Sequence, residues 1–265
     1  MKIFSLLFLV ISVFISIGAV SQEKIEEIPV NKSSGTAIGK SLPNVISQAI
    51  NEAKINALKK AGIKENINSY TDFYQSETDD EYSELFSSDI FSNIRGAVKE
   101  VEVVDTLRSF TKDGLIKVTA IINCTVLKYN TSRDLSFDFY VEGIKQFYNH
   151  NESLQFKIEP AHNGYLKAFL FTRNEAYQLF PNDYEKSLLF EKGQTYDFPM
   201  QEIDYILETP KKSEIHRIVF VYLKEDVPFF GPVKYEEIFD WIFSIPPDQR
   251  KVKSNTFTVV NESAV

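Results

Sequence analysis

The chain has 265 residues, with 37 acidic side chains against 29 lysines and arginines and a formal net charge of −8. That balance argues against nucleic acid, whose phosphates it repels, and against electrostatic docking on anionic lipid. One cysteine, Cys124, cannot form an intramolecular disulfide, so the fold must rely on an apolar core supplied by 22 Phe and 13 Tyr, residues suited to sheet faces.

Lys2 precedes an apolar run, Ile3 to Val20, that closes on Ala19-Val20-Ser21. This is the layout of a secretory signal cut before Gln22. Residues 1–21 are therefore read as a signal peptide, and the body as exported to the periplasm or outer cell envelope. If kept, the segment is an anchor and the one expected membrane contact; no cysteine at the cut offers a lipid anchor.

Residues 22–35 read as a flexible lead-in ending in Asn31-Lys32-Ser33-Ser34-Gly35. A helix follows, with Ser41 as N-cap and Pro43 in its first turn. Val45, Ile46, Ala49, Ile50, Ala53, Ala57 and Leu58 form its apolar stripe, Gly62 stops it, and the alanines point to close packing on a sheet. Ile63 to Ser92 is polar and acidic. Two strands then follow, Val98–Phe110 and Leu115–Leu127, joined by Lys112-Asp113-Gly114. In the second, Ile116, Val118, Ala120, Ile122, Cys124 and Val126 share one face, which places the Cys124 thiol in the core as an inert group.

Residues 130–134 read as a linker. Short strands are predicted at Leu135–Val141, Leu154–Ile158, Tyr165–Thr172, Tyr177–Phe180, Ser187–Phe190, Tyr205–Leu207 and Arg217–Leu223, with Asn163-Gly164 as a hairpin turn between two of them. Tyr235, Ile238, Phe239 and Ile242 are spaced for a short amphipathic helix that Ile245-Pro246-Pro247 ends, and Thr256–Val260 is a last strand. The fold class is α+β: a helix-on-antiparallel-sheet domain over 36–129, then a β-sandwich-like domain with one short C-terminal helix over 135–262.

Motifs for chemistry are sparse. Gly35-Thr36-Ala37-Ile38-Gly39-Lys40-Ser41 imitates a phosphate loop, but only three residues separate its glycines where four are needed. Glu77-Thr78-Asp79-Asp80-Glu81 lacks the spacing and the glycine of a calcium loop. His150, His162 and His216 belong to no zinc pattern and read as surface turn or strand-end residues, and there is no nucleophile elbow. No catalytic, cofactor-binding or metal-binding residue is assigned; no cofactor and no nucleotide is expected.

Two resemblances add to this. The order of the alanine-rich helix Ala49–Leu58, then Ile94-Arg95-Gly96-Ala97-Val98, then Gly114-Leu115-Ile116-Lys117-Val118-Thr119-Ala120 is similar to the N-terminal domain of the flagellar T-ring assembly protein and related small envelope lipoproteins. That likeness covers roughly residues 36–128 and implies helices packed on an antiparallel sheet. The second half, with Gly164-Tyr165-Leu166, Leu179-Phe180-Pro181-Asn182, Lys192-Gly193 and Phe198-Pro199, resembles an uncharacterised bacterial domain found in exported proteins. It implies a compact accessory β-domain and supplies no site residue.

The expected function is a non-catalytic cell-envelope assembly or binding module acting through contacts with another envelope protein. The candidate contact loops are those around Pro181 and Asn182 and around Pro228, Phe229 and Phe230, because apolar loop residues are either tucked in or used for contact. The alternatives are an envelope glycan or peptide hydrolase, and a small-ligand or lipid-binding protein.

Overall fold

The computed structural model describes residues 25–63, 95–173 and 175–264. The predicted signal segment and the acidic run Glu77–Glu81 lie outside the described residues. The fold is α+β, mostly sheet with two helices among the described residues.

The predicted lead-in is instead strand β1, Ile25–Gly39. Its polar residues misled the reading because the strand lies at a sheet edge, against a helix that asks for small side chains. β1 pairs antiparallel with β3 (Ile116–Tyr129), which pairs antiparallel with β2 (Gly96–Phe110), giving the order β1-β3-β2. Helix α1 (Leu42–Lys60) lies on one face. Its Ala49, Ala53 and Ala57 are fully buried, and a Cβ on Gly35 would sit 2.2 Å from Ala53 N and 2.3 Å from Ala49 O. Gly35 is thus where helix and strand backbones meet, which explains the glycine of the false phosphate loop. Ser33 Oγ donates to Ala53 O at 2.8 Å across the same contact.

Both ends of α1 follow from local chemistry. Ser41 occupies the N-cap position without a side-chain hydrogen bond, and Pro43 sits in the first turn. At the far end Gly62 takes φ +83°, Ile63 N–H bonds Leu58 O and Gly62 N–H bonds Lys59 O, the paired closure that a left-handed glycine permits.

In the second half a five-stranded sheet packs face to face against a three-stranded sheet and a two-stranded pair. The larger has the order β5-β13-β12-β8-β9, formed by Phe147–Asn149, Arg250–Val260, Ser213–Leu223, Tyr165–Phe171 and Ala176–Phe180. β5 and β13 run parallel; the other pairs are antiparallel. Opposite it lie β10-β7-β4 (Tyr196–Phe198, Phe156–Pro160, Phe139–Glu142) and the two-residue pair β11-β6 (Ile206–Leu207, Glu152–Ser153). Phe139, Phe156, Phe198, Phe220 and Tyr222 fill the space between, with Phe156 and Phe198 stacked at 4.8 Å. This is where much of the aromatic composition is used.

Two strand expectations fail. Asn163-Gly164 does not close a hairpin: β7 and β8 belong to different sheets, and the chain crosses between them there. Gly164 is small for another reason, since a Cβ would lie 2.6 Å from Leu223 O and 2.8 Å from the Tyr222 ring. Ser187–Phe190 forms no strand, only the single bridge Gly164–Phe190.

β8 and β12 are buried on both faces, so their polarity does not alternate. Leu166, Ala168, Leu170, Ile218, Phe220 and Tyr222 face the small sheet. Phe169, Phe171, Val219, Val221 and Leu223 face helix α2 (Tyr235–Ser244). Phe239 stacks on Phe171 at 5.5 Å, and on its other side α2 meets the N-terminal sheet, where the Tyr129 hydroxyl donates to Phe243 O. Burial raises the pKa of that phenol. One apolar cluster therefore runs from Ala53, Leu58 and Val126 through α2 to Val221. In the predicted linker, Asp134 is fastened by Lys224 Nζ at 2.6 Å and caps Ser136 and Phe137.

Candidate functional site

The two predicted contact loops converge on one side chain. Lys167, on β8, has a side chain only 3% exposed, yet it faces the α2 side of the large sheet among Phe169 and Phe171. An ammonium buried there must be paired. It donates to Asp226 Oδ1 at 2.6 Å and to Ser187 Oγ at 3.1 Å. Asp226 opens the loop that carries Pro228, Phe229 and Phe230; Ser187 lies in the loop that follows Pro181 and Asn182. One buried cation thus holds the two loops side by side.

Within the second loop, Phe229 turns inward, its ring edge-on to Phe169 at 5.5 Å and to Trp241 at 5.8 Å. Phe230 turns outward and is 90% exposed; Pro228 beside it is also exposed. An anchored residue next to an exposed aromatic one is an arrangement that presents a side chain rather than hiding it.

The first loop divides differently from the expectation. Pro181 and Asn182 are half-buried, and the peptide bonds before Pro181 and Pro199 are both cis. Asn182 spends its amide inward: Nδ2 donates to Leu179 O at 2.6 Å and to Glu185 Oε2 at 3.0 Å, while Oδ1 accepts from the Tyr184 and Glu185 N–H groups, each at 2.8 Å. Glu185, itself buried, also accepts from Met200 N–H and the Tyr205 hydroxyl. Burial and that bond to Glu185 together raise the pKa of the Tyr205 phenol. The Leu-Phe-Pro-Asn element is therefore a bracket joining the 180–185 and 199–205 loops. The outward residues of this stretch are Tyr184, Leu188 and Leu189, which sequence reasoning missed. Their signal was an apolar pair placed where no strand forms.

The side chains with catalytic potential are placed as follows. Lys167 Nζ donates to Ser187 Oγ and to Asp226 Oδ1, so the Ser187 hydroxyl faces a donor already shared with a carboxylate. His150 Nδ1 accepts the Thr209 N–H at 3.1 Å, and the His162 carbonyl accepts the Tyr222 hydroxyl. His216 is not the surface residue expected. It is buried beneath Phe257 with Nε2 3.4 Å from Glu214 Oε2, because β12 extends back to Ser213 and pairs along its length with β13. Burial lowers the His216 pKa against the opposing pull of Glu214. Cys124 is buried, and burial raises its thiol pKa, as expected for an inert group. Among the described residues, no three His, Cys, Asp or Glu side chains converge to hold a metal ion.

Residues 147–219, just over a quarter of the chain, match the family described as a domain of unknown function (DUF4384). The match runs from β5 into β12. β13, which pairs with both, lies beyond it, so the folded unit extends past the matched span. No curated protein matches the chain.

Proposed function

We propose that this chain is an exported, non-catalytic assembly or binding module of a bacterial cell envelope, and that it contacts a partner protein through the paired loops at Lys167. The observation that carries the reading is Phe230, 90% exposed on a loop fixed by the Asp226–Lys167 ion pair and by the docked Phe229. A rigid loop gives up little conformational entropy on binding, and an aromatic residue at its tip is the kind of side chain that dominates interface energetics. The signal-like first 21 residues support export. The likeness of the N-terminal half to the flagellar T-ring assembly domain, and of the second half to an accessory domain of exported proteins, supports an assembly role.

The test is cross-linking of the tagged protein in its native envelope, comparing the wild type with Phe230→Ser. One recurrent partner, recovered in near-equal amount and lost in the variant while the variant still folds, is the expected result. Absence of any partner, or equal recovery with the variant, refutes this use of the loop.

A further inference from the structure

Among the described residues, no strand pairs with the lateral edge of either outer strand of the N-terminal sheet, and the two strands treat that edge differently. On β1, side chains of α1 occupy the edge region: Lys60 Nζ donates to Lys32 O at 3.0 Å and Asn56 Nδ2 to Ser34 O at 2.9 Å. On β2, the first half is blunted by two bulges and by Lys99, Glu100 and Glu102, devices that prevent edge pairing. The second half, residues 105–110, is regular. Thr111 N–H bonds Leu115 O at the turn, so by antiparallel alternation the N–H and C=O groups of Phe110, Arg108 and Thr106 point away from β3. Among the described residues no strand pairs with them. Beside them Leu107 is 56% exposed and Phe110 76% exposed, with Val103 and Val104 also on the surface. Thr106 N–H has only a local substitute, the Asp105 carboxylate at 2.7 Å.

We propose that two copies of this chain associate edge to edge through residues 105–109 of β2, antiparallel, about a two-fold axis at Leu107. This register is selected by the side chains. It sets Leu107 against its counterpart, Asp105 against Ser109, Thr106 against Arg108 and Val104 beside Phe110, and it carries the Glu102 end of each strand toward Lys112 of the other. Centring on Asp105 or Arg108 would oppose like charges. Centring on Thr106 would set Leu107 against Asp105. The two-fold consumes both free edges at once, so association closes at a dimer and joins two three-stranded sheets into one of six. The proposal is independent of the loop surface at Lys167.

Leu107 bonds inward to β3, so the Leu107 pair is of the non-hydrogen-bonded type, with Cα atoms roughly 4.5 Å apart, close enough for a disulfide. The full chain carrying Leu107→Cys, mildly oxidised in cells, should give a disulfide-linked dimer. Ser109→Cys, on the same face two residues along but opposite Asp105, should not. By light scattering over a concentration series, the purified chain should approach twice its monomer mass, and Leu107→Lys should weaken association at least tenfold while melting like the wild type at concentrations too low for either to associate. Because both substituted side chains are exposed, folding should survive; should the lysine variant fail to fold, the cysteine pair decides. A strictly monomeric chain with no cross-link, or equal cross-linking from both positions, overturns the proposal.

Discussion

Gly35→Ala tests the helix–sheet contact that organises the first half. Gly35 is outside the left-handed region, so alanine suits its backbone and, by restricting the unfolded chain, should stabilise by about 0.4–1 kcal/mol. Sterics oppose this. The new Cβ would lie 2.2 Å from Ala53 N, 2.3 Å from Ala49 O and 2.6 Å from the Glu52 carbonyl carbon, all backbone atoms that no rotamer change can move. Helix α1 must back away by more than an ångström, at the usual overpacking cost of about 1–3 kcal/mol. Retreat also stretches the 2.8 Å bond from Ser33 Oγ to Ala53 O, and stranding those buried groups costs about 1–3 kcal/mol more. The net loss is about 2–4 kcal/mol, or about 5–15 °C in Tm for a chain of this size. Urea titration followed by circular dichroism and by the fluorescence of Trp241, the one tryptophan, measures it. Gly114→Ala is the contrast, with open space around it and only its φ of +78° to strain, worth about 1 kcal/mol. A Gly35→Ala loss under about 0.5 kcal/mol would mean that the helix slides freely on the sheet, and the reasoning fails.

Three further outcomes are expected. Tyr205→Phe removes a donor from the buried Glu185 carboxylate and should lower stability by about 1–3 kcal/mol in urea, whereas Tyr177→Phe, whose partner Glu175 is exposed and whose phenol that carboxylate pushes up to about 12, should change little. His216 is held neutral by burial, with a folded pKa below its unfolded one; the unfolded chain therefore takes up the proton first as pH falls, so the stability His216 contributes is full above pH ~6.5 and is lost as pH drops through the folded pKa. His216→Gln should flatten the urea-midpoint profile on the acid side of about pH 6.5, and an unchanged slope would show that another group titrates there. Asp226→Asn leaves the Lys167 ammonium with only Ser187 and should cost about 1–3 kcal/mol, less than a fully buried pair because Asp226 is partly exposed, and amide exchange across residues 226–231 should rise.

Much of the fold could be read from the sequence where one face of an element meets water. The alternation of β3 and the stripe of α1 are such cases, and both match the structure. Reading failed where a residue type is set by a neighbour distant in the chain. β1 is an edge strand whose buried Ser33 and Gly35 are suited to contact with α1, so it carried no apolar alternation and looked like a loose lead. The glycine at 164 was a steric requirement of Tyr222 and Leu223, which lie some 60 residues away in the chain and are invisible to local pattern. The loops proposed for contact stood out as apolar residues in turns. Which of them face outward was not legible, because that depends on Lys167 and Glu185, charged residues whose burial is set by tertiary structure.

Helix α2 has a consequence for the order in which the molecule can mature. It follows β12 in the chain, yet it forms part of the wall against which Tyr129 and Leu127 of the N-terminal sheet are buried. The first half is made early and sealed late: until residues near 245 have emerged and α2 has settled on Phe171, that apolar flank stands open. A chain cut short anywhere between Asp134 and Lys234 would carry a finished sheet with an unfinished side. Such fragments should be recognised by proteases and chaperones as incomplete, which makes the far end of the chain the checkpoint for its beginning.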